Sequence, residues 1–152
     1  MPLVLIRALV MCLCFFIAKK AVYHAYAERQ FTKGQVLTKH CNEKQTKACL
    51  HAAKYMRQAT EYNKEEYFYK YSLALATMKI YDYVKDKRLL AAAAGICKKA
   101  KKHSWDKHYP HVCLAKCYMK AGNRRKALEN LEAARVYIPH NEKLLGYIEK
   151  IR

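Results

Sequence analysis

Apolar residues in this chain follow two kinds of pattern. From Leu3 to Ala18 they run almost unbroken, interrupted only by Arg7 and ended by Lys19 and Lys20. Further on they recur at helical spacing. Ala52, Met56 and Ala59 form one such set, and Ala93, Cys97 and Ala100 another. Leu114 and Tyr118 form a third, and Ala127, Leu131 and Ala134 a fourth. The last set is Leu144, Leu145, Ile148 and Ile151, with Asn141 placed ahead of it as an N-cap. A period of three to four residues puts each set on one side of an α-helix. Each set therefore predicts a helix with one face to bury.

A few residues punctuate these faces. Gly122 is placed to stop one helix by taking a left-handed conformation, and Asn123 to join that turn. Pro139 ends the next helix. Ala115 and Ala127 are small enough to let two helices approach closely, and Ala134 lets the second helix meet the one that follows. The order His111-x-x-Leu114-Ala115-x-x-Tyr118, then Gly122, then Ala127-x-x-x-Leu131-x-x-Ala134, then Pro139 resembles the tetratricopeptide repeat. The chain departs from that family at three positions. His111 stands for its Trp, Ala115 for its Gly, and Leu131 for an aromatic residue.

The best repeat covers residues 108–141, a weaker one 67–107, and a degenerate one 33–66, with 35–47 as its first helix. From Leu73 to Leu114 the spacing is 41 residues, against a family period of about 34. The extra residues fit a charged turn around Asp82 to Arg88. Residues 142–151 form a capping helix, as repeat arrays require at an exposed end. The expected fold is all-α. It is an antiparallel helix-hairpin repeat array of tetratricopeptide type over residues 28–152, preceded by an N-terminal transmembrane helix within residues 1–27.

Composition agrees with helices. There are only 4 Gly and 3 Pro, too few for a fold with many tight turns. The net charge is +18, from 30 Lys and Arg against 12 Asp and Glu. Such an excess attracts nucleic acid or anionic lipid, and a basic binder of either is one alternative. The charge is spread over several helices, however, which points to a solvated surface. The Lys98–His103 run fits a helix C-terminus, where cations are favoured. Nucleic acid is not the expected partner.

The first apolar run has sixteen residues, about 24 Å of helix against about 30 Å of hydrocarbon. Val22, Tyr23 and Tyr26 extend it toward the interface, and Lys19 and Lys20 can snorkel. A cleaved signal ending at Ala25-Tyr26-Ala27, with export, is the alternative. The basic residues after the run place the repeat domain in the cytoplasm. The odd total of 7 cysteines, with no C-x-x-C pair, fits reduced thiols there.

Chemistry is sparse. His108, His111, Cys113 and Cys117 are the best metal constellation. Packing explains them better, since His111 and the small thiols fall on a core face. No metal and no cofactor is expected. No Gly-rich phosphate loop, H-E-x-x-H or G-x-S-x-G motif is present, so no catalytic residues and no small-molecule substrate are expected, and the protein is not read as an enzyme.

The tetratricopeptide resemblance implies a scaffold for protein–protein interaction. In that family the first helices of successive repeats line a concave face. Here that face would carry Phe68, Tyr71, Leu75, Met78 and Lys79, then Tyr109, Val112, Lys116, Met119 and Lys120. Aromatic and apolar groups with a basic rim suit a peptide carrying acidic residues. The family's carboxylate clamp is not reproduced, because Lys116 stands where Asn is expected. The whole chain also resembles the C-terminal membrane helix and repeat tail of O-antigen ligase or polymerase-type membrane proteins. That resemblance implies a detached tail or accessory part, and carries no catalytic residue.

Overall fold

The computed structural model describes residues 2–42 and 46–152, with side chains from residue 6 onward. Part of the expected 35–47 helix lies outside these limits, as do the side chains that open the apolar run. Among the described residues there are seven α-helices and no strand: α1 (Pro2–Lys39), α2 (Thr46–Tyr62), α3 (Tyr67–Val84), α4 (Lys87–His103), α5 (His108–Lys120), α6 (Arg124–Arg135) and α7 (Glu142–Ile151).

Local chemistry sets most of the boundaries. Asp86, Asn123 and Asn141 cap α4, α6 and α7, their side chains accepting from the backbone N–H of Arg88, Lys126 and Leu144 at 2.9, 3.0 and 3.0 Å. Glu66 does the same for α3 through Phe68. Gly122 has φ +76 and closes α5, with its N–H on the Met119 carbonyl at 3.0 Å. Lys101, Lys102 and His103 fill the last turn of α4, where the lysine charges are favoured by the negative end of the helix dipole.

The helices pair in order. α1 packs on α2, α3 on α4 and α5 on α6, and neighbouring hairpins join through α2–α3, α4–α5 and α6–α7. α3 also touches α5 directly. Side chains tie α1 to α3, including Tyr69 donating to Glu28 and Lys79 donating to the Thr38 carbonyl at 2.9 Å. The first helices therefore form one layer and α2, α4 and α6 the other. α7 covers the last hairpin, with Leu144 and Ile148 buried against Ala115, Leu131 and Ala134. At the other end Gly34 admits α2. A Cβ there would lie 2.8 Å from Met56 Cγ and 3.1 Å from the Ala52 carbonyl oxygen.

Three expectations need correcting. No helix among the described residues is long and apolar enough to cross a membrane, so the expected transmembrane helix is not found. The physical reason is the bracketing charge. Between Arg7 and Lys19 only the eleven residues Ala8 to Ala18 are uninterrupted, which is about 16 Å of helix. Second, α1 is continuous. It runs straight on from the apolar segment, and its later part, from Ala27 to Lys39, packs on α2 as the first helix of the first hairpin. Third, four cysteines are paired rather than reduced. Cys41 is bonded to Cys49 and Cys97 to Cys113, with Cα atoms 4.8 and 6.0 Å apart. Those partners are 8 and 16 residues apart in the chain, and spacing alone does not bring them together.

Candidate functional site: the inner face of the first helices

Phe68, Tyr71, Leu75 and Lys79 occupy one stripe of α3, three to four residues apart. Opposite them α1 presents Gln35, Thr38 and Lys39. Leu75 and Lys79, with Ser72, Ala76 and Met56, join these three in bounding a groove of about 410 Å³, and Phe68 and Tyr71 lie further along α3 outside it. Its size falls within the range of ligand sites, and its floor is apolar.

Aromatic rings continue the groove along the array. Phe31 lies 5.6 Å from Phe68, Phe68 lies 6.4 Å from Tyr71, and Tyr71 lies 5.5 Å from Tyr109 on α5. Burial pushes the Tyr71 hydroxyl above its ordinary pKa, and Tyr109 and Tyr147 add to the shift. Tyr147 belongs to α7, so α3, α5 and α7 each bring a tyrosine near enough to affect Tyr71. Burial also raises Tyr67, helped by Asp106. These phenols remain neutral donors at physiological pH.

The ten residues expected on this face divide by burial. Phe68 and Tyr109 are 39 % and 37 % exposed and offer ring surface. Tyr71 and Leu75 are half-buried, packed against the core of the second and third hairpins. Met78 does not reach the groove, being only 3 % exposed and in contact with the Cys117 thiol. Val112 packs beneath α6 and α7. Lys79 is held by the Thr38 carbonyl, and Lys120 pairs with Asp82. Lys116 and Met119 are half-buried on α5.

Residues of α1 and α7 were missed by the sequence reading. Gln35, Thr38 and Lys39 fall within the expected 35–47 helix, but they are polar and carry no apolar period that would assign them to the inner face. Tyr147 had a usable signal. Tyr71, Tyr109 and Tyr147 are separated by equal steps of 38 residues.

The repeat-defining residues have structural duties. Leu114, Ala115, Ala127, Leu131 and Ala134 are buried, and Tyr118 packs on the core. Pro139 lies beyond the end of α6. The metal constellation is already engaged. His108 pairs with Asp106, His111 Nδ1 lies 3.3 Å from Asn130 Oδ1, and Cys113 is bonded to Cys97. The sulfurs of Cys97, Cys113 and Cys117 lie within 4.8 Å of one another, in the core where α4 meets α5. Burial raises the Cys117 thiol to about 11, which keeps it protonated and unreactive.

No family model matches the sequence, and no curated relative matches it. The resemblance to O-antigen ligase tails finds no support among known proteins. A solved structure does match. The Arabidopsis OM64 TPR domain superposes with a TM-score of 0.70 at 16 % sequence identity, covering 86 % of this chain and 97 % of that one. At that identity the likeness concerns the fold: the chain is an all-α, tetratricopeptide-like array.

Proposed function

We propose that this protein is a non-enzymatic scaffold that holds a segment of a partner protein along the inner face of α1, α3 and α5. The observation that carries this is the line of rings Phe68, Tyr71 and Tyr109, with the buried Phe31 packed against Phe68, beside the groove between α1 and α3. Repeat arrays of this kind use extended inner surfaces for binding. Rings supply large contact area at low entropic cost. Lys39 and Lys116 lie along the same face and suit acidic residues in the partner.

The test is binding of candidate partner segments to the full chain. Phe68→Ala and Tyr109→Ala remove exposed rings and leave the core intact. Each is expected to weaken binding about 10-fold at unchanged melting temperature. Tyr71→Ala and Leu75→Ala weaken it further, with some loss of stability. Unchanged affinity in all four variants sinks the groove.

The outer part of α1 supports contact with lipid. From Ile6 to Val22 its large apolar side chains are 53–72 % exposed, and they point in all directions around the helix. A helix apolar on every side suits an apolar surrounding rather than a one-sided protein groove. The uninterrupted stretch matches the depth of one leaflet, about 15 Å. On this reading α1 enters a membrane surface without crossing it. The two disulfides favour an oxidising compartment for the repeat domain, where such bonds persist, with α1 kept on the chain rather than cleaved at Ala27. Thiol labelling of the native chain, with and without prior reduction, tests the pairing that supports it.

A further inference from the structure

Where the outer part of α1 leaves the array, the end of α2 and its connection to α3 come alongside. Between them is a cavity of about 640 Å³. Lys20 and Tyr23 line it from α1, and Glu61, Tyr62, Lys64 and Glu65 from the other side. Among the described residues, none of these four charged side chains forms an ion pair. Two cations and two anions thus line one cavity together with His24, and Glu65 also acts on Lys70.

The aromatic lining adds a second preference. Tyr62 lies 4.4 Å from Tyr26 and 5.9 Å from Tyr23, ring centre to ring centre. Lys19 already sits over Tyr23 at 5.7 Å. Tyr62 is 42 % exposed, so its ring surface is accessible. A ring beside two carboxylates is a good place for an organic ammonium group. Lys20 and Lys64 suit a phosphate. Ile17 also lines the cavity, so it opens directly onto the exposed apolar part of α1.

We infer that this cavity binds the headgroup of a zwitterionic phospholipid. The phosphate lies against Lys20 and Lys64, the ammonium against Tyr62, Glu61 and Glu65, and the acyl chains run along α1 beyond Ile17. The inference rests on the lipid contact proposed for α1. It adds a choice of headgroup to a contact that apolar surface alone would leave unselective.

The experiment is co-sedimentation of the full chain with two kinds of vesicle. One is phosphatidylcholine and the other phosphatidylglycerol, with the same acyl chains. Glu61→Gln with Glu65→Gln changes the headgroup site at two exposed positions, with folding checked by circular dichroism. Leu13→Asp with Phe16→Asp changes only the apolar part. The expected result is preference for phosphatidylcholine. The paired Gln variant should lose roughly 5- to 10-fold on that lipid and nothing on phosphatidylglycerol. Soluble glycerophosphocholine should compete with wild type.

Equal binding to both vesicles, unaffected by the Gln pair but abolished by the Asp pair, overturns the headgroup site and leaves the lipid contact standing. Stronger binding to phosphatidylglycerol, lost steeply with salt, overturns it in favour of a diffuse basic surface. No binding to either vesicle overturns both readings.

Discussion

The outer part of α1 and the α5–α6 hairpin use apolar residues in opposite ways. The first is almost wholly apolar and buries none of its described side chains before Ala27. The second is far more polar, yet Leu131, Ala127, Ala134, Cys113 and Ala115 are all 0 % exposed. The difference is periodic. Helix α6 gathers three apolar residues on one face, between charged neighbours, and that face meets α5 and α7. In α1 the apolar residues surround the helix, so no single neighbour can cover them. Apolar content sets which solvent a segment prefers, whereas its period sets whether another helix can shield it.

Substitutions can break this contrast. The largest effect is expected at Leu131. Leu131→Ala leaves a cavity among α5, α6 and α7 and should cost about 2–5 kcal/mol. Leu13→Ala on the exposed part of α1 should stay within about 0.5 kcal/mol. Chemical denaturation of the two variants measures both. Similar losses would mean that the outer part of α1 is covered by protein.

Gly34 lies in the packed part of α1, seven residues beyond the point where burial begins at Ala27. Gly34→Val forces a branched side chain against Met56 and the Ala52 carbonyl. It should cost about 1–3 kcal/mol and separate α1 from α2. Hydrogen exchange should then rise in the first hairpin before the last. Uniform exchange would show that the array melts as one unit regardless of where it is disturbed.

Gly122→Ala puts a Cβ on a left-handed residue and should cost about 1–2 kcal/mol. No atom crowds that position, so backbone strain alone produces the loss. Gly122→Asn tolerates the conformation better and should recover part of it. Equal melting temperatures for the two variants would argue against strain as the cause.

The smallest effect is pH-dependent. Burial lowers the pKa of His111, nearby Lys101 lowers it further, and the contact with Asn130 opposes both. The unfolded chain takes up this proton near pH 6.5, while the folded chain does so only at lower pH. Stability from this residue is therefore complete above about 6.5 and declines as pH falls through that value to the folded pKa. Melting temperatures at pH 7.5 and 5.5 should differ less in His111→Phe than in wild type. An unchanged difference would remove His111 from the account.

The last hairpin was readable from the sequence because Gly122, Asn123 and Pro139 mark its turns and its apolar residues keep a helical period. The capping helix was readable for the same reason, through Asn141 and the face from Leu144 to Ile151. The first hairpin was hidden, since its first helix continues the apolar run without a cap or a breaker. Cysteine pairing was hidden too, as helix packing rather than spacing brings Cys97 to Cys113. On the inner face, periodicity found Phe68, Tyr71, Leu75 and Tyr109. It did not separate Met78 and Val112, which the neighbouring helices cover. Lys79 and Lys120 were legible as cations but not as cations already held by α1 and Asp82.

The unbroken course of α1 has a mechanical consequence. Its 38 residues make a rod about 57 Å long, with one end free of the array and the other forming a wall of the groove. No linker separates the two. A tilt imposed on the free end is carried to Gln35, Thr38 and Lys39, and so to the width of the groove between α1 and α3. The lipid contact and the partner groove proposed for its two ends would then share one lever, and a break in it, such as a Gly-Pro insertion after His24, should uncouple vesicle binding from peptide binding while leaving each measurable alone.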